Sequence, residues 1–498
     1  MNFRGYKEEV SIDFNDLNVF VGKNDIGKST ILEALDIFFN EGKNVIKLDK
    51  DDINKKAKEE GNEEIKISIV FTDLPSEITI DSANPTKLSD EYLLKNDDCL
   101  EIIKKYPKAG KEKVYIKANH PTADTCSGLL SKKITELKKI LTDNNIECAD
   151  KTKSATIRKA IWEYNSSDLK LNEIEIDVTK EDAKNIWEQL KNYMPLYSLF
   201  QSDRANSDGD DEIQNPMKLA VKEILKESLD KVAEEVEKKL KEVSNKTLEK
   251  LKEMNPDIAN SLNPVIPTTE SLKWFDVFKN VSITGDEDIP INKRGSGIKR
   301  LILLNFFRAE AERRKIEKNV PHIVYAIEEP ETSQHPNHQR KLIEAFIELS
   351  KTNNTQIILT THSPALVKLL DFEHLKLIKE DTAKEIVSIE RADLPYPSLN
   401  EVNFLAFNES DEEYHNELYG YIEAEGLLSE FRENKETMNY IKVKRNGNEI
   451  TEQKVLTEFI RHQIHHPENT KNTRFTNDNL QDSINLMRTF IKEKNIAS

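Results

Sequence analysis

The stretch Gly22-Lys23-Asn24-Asp25-Ile26-Gly27-Lys28-Ser29 decides the fold class, because it matches the phosphate-loop pattern GxxxxGK followed by Ser or Thr without a gap. A short apolar run at residues 19–21 precedes it, and residues 29–39 follow with apolar side chains at helical spacing. Glycines let backbone N–H groups surround a phosphate, and the positive end of the following helix faces it. We therefore predict an α/β fold that binds a nucleotide here.

The loop also assigns individual roles. Lys28 is predicted to reach the β- and γ-phosphates, and Ser29 to ligate Mg²⁺. The other predicted nucleotide-binding residues are Gly22, Asn24, Gly27 and Thr30. An accidental match is disfavoured because the chain has only 14 glycines and the strand and helix stand where the motif needs them. ATP and Mg²⁺ are therefore the predicted cofactors.

Two further apolar runs end in side chains that suit phosphate chemistry. Residues 322–327 lead into Glu328 and Glu329, and residues 356–360 lead towards His362. Continuous apolar runs are typical of central parallel strands. The first acid is suited to hold Mg²⁺ through water, and the second to orient or deprotonate the attacking water. A lone histidine at a strand end commonly has no special role, so His362 gains its interest from the other motifs.

A second glycine turn, Gly295-Ser296-Gly297, opens a predicted helix at residues 301–310. Such a turn at a helix start is an anion-binding nest. One chain does not need two nests for one γ-phosphate. The turn is therefore predicted to cap the nucleotide held by another subunit, which implies a homodimer or higher oligomer.

This ordered set of motifs resembles the ABC-type ATPases of the SMC, RecF and OLD class, and so does the opening Asn2-Phe3-Arg4-Gly5-Tyr6. The resemblance covers residues 1–75, roughly 190–205, and 275–390. It implies an ATPase with Glu329 as catalytic base and His362 as switch histidine, and Ser296 and Gly297 contacting the partner's γ-phosphate. It also implies that Gln201 senses Mg²⁺, with an ordinary polar loop residue as the alternative.

Departures from the family pattern narrow the resemblance. Glu328 stands where many ABC proteins carry Asp, which fits the OLD-like branch; the helical insertion is too short for an SMC tether, and Toprim acids are lacking. The chain looks like the compact ATP-binding subunits of bacterial anti-phage systems, such as PtuA of Septu or AriA of PARIS. That likeness implies regulation of a separate effector, a nuclease or toxin. A RecF-like DNA-repair ATPase is an alternative, and the net charge of −17 counts against it.

The pattern predicts six regions. They are an ATPase lobe with the phosphate loop (1–80), an inserted helical lobe (81–185), a core strand and loop (186–215), a helical or short coiled-coil insertion (216–270), an ATPase lobe with the second turn, acidic strand end and histidine (271–392), and a helical C-terminal domain (393–498). Three widely spaced cysteines argue against a disulfide framework and a cysteine zinc site. Neither a signal peptide nor a long apolar run is present, so we expect a cytoplasmic protein without membrane contact.

The C-terminal segment at residues 456–469 places three of the ten histidines within five residues. Arg461 and His466 fit the R-x₄-H spacing of HEPN ribonucleases, so an ATP-gated ribonuclease is a further alternative function. Metal binding by His462, His465 and His466 is a second interpretation, since these positions share a helix face. The third is a structural helix end shaped by Pro467.

Overall fold

The computed structural model describes residues 1–41, 46–81, 84–180, 183–201, 322–332, 335–380, 383–389, 398–444 and 446–497, together with scattered positions between 235 and 249. Two compact units are present: one contains residues 1–199, 321–329 and 354–498, and the other contains 200–320 and 330–353. The Gly295-Ser296-Gly297 turn and the predicted helix at 301–310 lie outside the described residues. So does most of the helical or short coiled-coil insertion predicted over 216–270, of which residues 238–246 are helical.

The strands of the described residues, in chain order, are β1 (Leu17–Val21), β2 (Glu64–Phe71), β3 (Ile78–Asp81), β4 (Asn84–Thr86), β5 (Leu100–Pro107), β6 (Lys113–Pro121), β7 (Leu171–Asp177), β8 (Leu196–Phe200), β9 (Ile323–Glu328), β10 (Thr355–Thr361), β11 (Leu375–Glu380), β12 (Lys384–Ser388), β13 (Thr437–Val443) and β14 (Glu449–Val455).

The helices are α1 (Lys28–Asn40), α2 (Lys55–Glu59), α3 (Ile134–Asp143), α4 (Ser154–Tyr164), α5 (Ala183–Leu190), α6 (Pro336–Ser350), α7 (Pro364–Val367), α8 (Leu399–Phe407), α9 (Glu412–Ala424), α10 (Leu428–Arg432), α11 (Leu456–His465) and α12 (Asn477–Ala497). Within the described part of the chain, no helix is both long and apolar enough to span a membrane.

A six-stranded sheet in the order β12-β11-β1-β10-β9-β8 carries the predicted motifs. β1 pairs in parallel with both β10 and β11, β10 pairs in parallel with β9, and β12 is antiparallel at one edge. Every residue of β1 is buried, as the continuous apolar run predicts for a central strand. Apolar residues of α1, including Leu32 and Ile37, join Phe20 and Ile358 in one core. The predicted α/β fold is confirmed.

The segment expected to be a helical lobe, residues 81–185, contains strands as well as helices. α3 and α4 lie where helices were predicted, but β5, β6 and β7 form an antiparallel sheet with β2. In β6 buried and outward-facing residues alternate almost throughout, which is the period of a half-buried strand. The expectation of an all-helical lobe was wrong because the outward-facing residues are Lys, Tyr and Asn, and this polar composition hid the alternation.

The C-terminal region expected to be all helical is also corrected. α8 to α12 pack around a core that includes Tyr414, Leu418, Ile460 and Ile484, but β13 and β14 form an antiparallel hairpin. Its connection carries Asn446-Gly447, and Gly447 has a φ of 84°. Asn-Gly is the strongest short hairpin signal, because a tight hairpin turn needs positive φ angles. The domain boundaries themselves remain predictions.

Candidate nucleotide site

Three segments that are distant in sequence meet at the carboxyl edge of the central sheet. Val21, the last residue of β1, is level with Thr361 of β10, and Thr360 is level with Glu328 of β9. The phosphate loop, His362 and Glu329 therefore leave three adjacent parallel strands side by side. In open α/β sheets, ligands bind at this edge.

The phosphate loop has the backbone that its glycines permit. Gly22 and Gly27 have φ angles of 155° and 108°, and Gly27 is the residue before α1. Lys28 is buried, and its Nζ donates hydrogen bonds to the carbonyl oxygens of Gly22 at 2.9 Å and Lys23 at 3.0 Å. The ammonium group thus lies inside the loop, and the first-turn N–H groups of α1 lie at its mouth.

Two of the three predicted metal-binding residues, Ser29 and Glu328, contact each other. The Ser29 hydroxyl donates a hydrogen bond to Oε1 of Glu328, although 299 residues separate the two. A hydroxyl and a carboxylate at a phosphate loop are the oxygen ligands that Mg²⁺ takes in nucleotide sites. These residues therefore fit a Mg²⁺ ion bound with ATP.

The predicted base and the predicted switch histidine are also paired. Nδ1 of His362 lies 3.1 Å from Oε1 of Glu329. Glu329 has a φ of 42°, in the left-handed region that costs a non-glycine residue about 1–3 kcal/mol. Its N–H donates to the carbonyl oxygen of Thr360 at 3.1 Å and is 3.2 Å from the Thr360 hydroxyl, which holds this conformation. A carboxylate held in a strained turn beside a histidine is suited to act on a water molecule.

Comparison with known proteins identifies the family of this site. Residues 1–367 match the AAA ATPase domain family. The chain belongs to this family. A segment of 102 residues is 31% identical to the OLD nuclease of Thermus scotoductus, and it covers 20% of this chain and 18% of that protein. The resemblance to the OLD class is therefore confirmed over this segment.

Solved structures similar to this ATPase include two SMC heads. One is the Smc head bound to the C-winged helix domain of ScpA, with 14% identity and a TM-score of 0.36 over 79% of this chain and 97% of that chain. The other is the SMC head domain from Thermotoga maritima, with 13% identity and a TM-score of 0.33 over 78% and 97%. Because both TM-scores are below 0.5, the P-loop assignment depends on the family match and on the sheet itself.

The structure of the ATPase adds two residues that sequence reasoning missed as functional. The Tyr6 hydroxyl donates a hydrogen bond to the carbonyl oxygen of Gly27 at 3.1 Å, and Nζ of Lys384 donates one to that of Ile26 at 2.8 Å. The Lys384 ammonium also lies 5.4 Å from the centre of the Tyr6 ring. Burial, and secondarily the Glu380 carboxylate, raises the pKa of Tyr6, so its hydroxyl stays a donor.

These two bonds fix the direction of the loop's amides. In a trans peptide the N–H points opposite to the C=O. Holding the carbonyls of Ile26 and Gly27 on one side therefore turns the N–H groups of Gly27 and Lys28 to the other. In the sequence, Tyr6 stands out only as part of the opening segment at residues 2–6 that resembles the family. Lys384, on the edge strand β12, belongs to none of the motifs.

For the remaining residues predicted to contact the nucleotide or its Mg²⁺, the structure gives a position at most. Asn24 is exposed in the loop, and Thr30 is half-buried in the first turn of α1. Gln201 directly follows β8 and belongs to the second unit. Ser296 and Gly297 lie outside the described residues. The roles of all five remain predictions.

The C-terminal motif residues lie elsewhere in the first unit. Arg461 is on α11, and His466 directly follows that helix. Both line a cleft of about 380 Å³. Among the residues that the structure describes, no three side chains of metal-ligating type come together as a metal site would require, so the geometry does not favour the metal interpretation of His462, His465 and His466.

Proposed function

We propose that this chain hydrolyses ATP between two copies of itself and that the ATP-bound dimer switches a separate effector, a nuclease or toxin, in bacterial anti-phage defence. The observation that carries the proposal is the meeting of Ser29 with Glu328 and of Glu329 with His362 at one sheet edge. That arrangement puts the two metal-binding side chains beside the phosphate loop, together with the catalytic base Glu329 and its histidine partner.

The chemistry divides among residues already in contact. Lys28 and the loop amides bind the phosphates, while Ser29 and Glu328 would hold Mg²⁺, which neutralises phosphate charge when bound. Glu329 orients the attacking water and takes its proton as the oxygen bonds to the γ-phosphorus and the bond to the bridging oxygen breaks. His362 holds the Glu329 carboxylate and contacts the γ-phosphate.

The dimer rests on two arguments. The described residues of one chain already supply the phosphate loop, the metal carboxylate and the base. The sequence Gly295-Ser296-Gly297 predicts a second anion nest, and we infer that it covers the partner's ATP, since one chain does not need two nests for one γ-phosphate. Nucleotide binding would then join the two copies.

A short series of contacts connects the nucleotide site to the C-terminal domain. α7 begins two residues after His362, and the carbonyl oxygen of Pro364 accepts a hydrogen bond from Nδ2 of the buried Asn403 on α8 at 3.0 Å. Lys368 pairs with Asp411 at 3.0 Å and with Glu413 at 2.5 Å. A movement of His362 towards a γ-phosphate would therefore be passed to α8 and α9.

The defence role rests on likeness to OLD-class and anti-phage ATPases. Because the match to the OLD nuclease spans 18% of that protein, its nuclease activity is not carried over to this chain. The net charge of −17 also disfavours DNA as the main partner. A separate effector protein remains the favoured partner.

The Glu329→Gln variant tests the proposal. It should bind Mg-ATP and remain dimeric, with kcat at least about 100-fold below wild type because the base is gone. Light scattering on a sizing column should give twice the 57.4 kDa chain mass with Mg-ATP and the single mass without it. The matched control is Glu373→Gln, because the Glu373 carboxylate is exposed and lies two residues before β11. This variant should behave as wild type.

Each of two results would contradict a different part of the proposal. Unchanged hydrolysis by Glu329→Gln would remove the base assignment. A single-chain mass for this variant saturated with Mg-ATP would remove the dimer.

A further inference from the structure

The C-terminal cleft lies between α9 and α11 and is lined by side chains with complementary chemistry. The lining residues are Tyr419, Glu423, Glu458, Arg461, His462, His465 and His466. On α11 the sequence spacing of i, i+3, i+4 and i+7 puts four of them on one helix face, and on α9 the spacing of i and i+4 does the same for two. One guanidinium and three imidazoles therefore share a cleft of about 380 Å³.

Arg461 is held as a phosphate-binding arginine would be. Its guanidinium carbon lies 4.1 Å from the centre of the Tyr419 ring, and Nη2 is 3.3 Å from the Glu423 carboxylate. The other acid of the cleft, Glu458, already accepts a hydrogen bond from Arg432. Since each carboxylate has a cationic partner, the cleft does not repel an anion as strongly as the chain's net charge would imply. A planar guanidinium on an aromatic ring can offer two N–H groups to a phosphate.

Flat rings form a short column beside Arg461. The rings of Tyr440 and His462 are 5.0 Å apart at 26°, and those of His462 and His466 are 6.4 Å apart at 20°. Aromatic and imidazole faces of this kind stack unpaired bases of single-stranded nucleic acids. Tyr440 is buried and His462 stacks between its two neighbours, so the exposed His466 at the end of the column is the ring that can stack on a base beside Arg461.

The two stacked histidines differ in a way that suits acid–base chemistry. Burial, and then the Lys454 ammonium, lowers the pKa of His462; His466 adds to this, while Glu458 and Glu452 oppose it. His462 is therefore a neutral proton acceptor near pH 7. His466 is exposed, and its Nδ1 is 3.2 Å from the Glu468 carboxylate, which leaves Nε2 to exchange protons with a substrate.

We propose that this cleft binds single-stranded RNA and cleaves its phosphodiester bonds. His462 takes the proton of a ribose 2′-OH, and the 2′-oxygen bonds to the phosphorus. The bond from phosphorus to the 5′-oxygen breaks, and protonated His466 gives that oxygen its proton, while Arg461 pairs with the non-bridging oxygens. The products are a 2′,3′-cyclic phosphate and a 5′-hydroxyl, and no co-reactant is needed.

The mechanism specifies RNA over DNA, because the nucleophile is the substrate's own 2′-hydroxyl. It is also separate from ATP hydrolysis, since none of its residues belongs to the nucleotide site. The two proposals can therefore fail independently.

The test uses the full chain, a labelled single-stranded RNA and its 2′-O-methyl counterpart, at pH 7 with EDTA and, in parallel, with Mg-ATP. In at least one of these two conditions we expect cleavage of the RNA but not of the 2′-O-methyl strand, and the products should carry cyclic-phosphate ends. Arg461→Gln should lower the rate at least about 100-fold, as loss of a transition-state partner does. Its ATPase rate should equal that of wild type, which shows that the variant is folded.

Arg474→Gln is the matched control. Arg474 also pairs with a glutamate, Glu412 at 2.8 Å, and lies 4.4 Å from an aromatic ring, that of Phe475, but it is outside the cleft. This variant should cleave like wild type. His466→Ala should also lower the rate of RNA cleavage, because the leaving 5′-oxygen loses its proton donor.

Three outcomes would overturn the proposal. They are no cleavage of RNA in either condition, equal cleavage of the 2′-O-methyl strand, and equal rates for Arg461→Gln and Arg474→Gln.

Discussion

The carboxyl edge of the central sheet and the C-terminal cleft are both built from charged side chains, but they are assembled in different ways. At the sheet edge, Ser29 meets Glu328 across 299 residues, and the contact depends on strand order. In the cleft, the lining residues lie between Tyr419 and His466, and two helices supply most of them. The first site is specified by motifs at strand ends, and the second by spacing along helix faces.

Burial separates the two sites further. Lys28 is 5% exposed and bonds to backbone carbonyls, whereas the Arg461 and His466 side chains are 27% and 57% exposed. Changes at the sheet edge should therefore disturb binding and backbone together. Changes in the cleft should alter chemistry while leaving stability nearly unchanged, because exposed ion pairs contribute about 0–1 kcal/mol.

The largest effect is expected from Lys28→Ala. Removing a buried ammonium from a phosphate site should weaken ATP binding at least about 100-fold, since breaking a desolvated charge pair costs about 2–5 kcal/mol. Lys23→Ala, an exposed lysine of the same loop, is the control and should bind ATP almost normally. Calorimetric titration with Mg-ATP measures both. Comparable affinities for the two variants would contradict the role of Lys28.

A smaller effect is expected from the two side chains, Tyr6 and Lys384, that donate hydrogen bonds to the phosphate loop. Tyr6→Phe and Lys384→Met each remove one hydrogen bond to the loop, worth about 1 kcal/mol, so KM for ATP should rise about five-fold with kcat nearly unchanged. Lys379→Met, an exposed lysine on β11, serves as control. Steady-state kinetics separate KM from kcat. A fall in kcat alone would show that these residues do not orient the loop for binding.

An effect of similar size, on stability rather than on binding, concerns His415, buried beneath the cleft, where Nε2 is 3.0 Å from Oγ of Ser483. Burial lowers the pKa of His415 to about 3, with Arg461 and His465 as lesser causes. The unfolded chain therefore binds more protons between pH 6.5 and pH 3, so the stability is present above pH 6.5 and is lost as pH falls. From pH 7.5 to 5.5 the expected loss is about 1 kcal/mol.

Urea unfolding at these two pH values measures that loss. His415→Gln keeps a donor near Ser483 but does not titrate, so its loss should be about 1 kcal/mol smaller than that of wild type. Equal losses would show that His415 is not held neutral.

Much of the central sheet was predictable, because its strands are continuous apolar runs with motifs at their ends. β1, β8, β9 and β10 lie at the predicted positions. β5 to β7 were missed because charged and polar residues, mostly Lys, Glu and Asn, occur along them and made the segment resemble solvated helices. The Asn446-Gly447 hairpin carried a usable signal, since this dipeptide favours a tight turn.

The sequence by itself determined the phosphate loop, the acidic and histidine-bearing strand ends, and the residues that share one face of α11, because these follow from local glycine geometry and from helical and strand periods. The tertiary structure alone decided that Ser29 contacts Glu328, that Lys384 holds the carbonyl of Ile26, and that α9 closes the cleft opposite Arg461. Local preferences act over a few residues. Contacts across hundreds of residues depend on which strands and helices pair, and that is set by the packing of the whole unit.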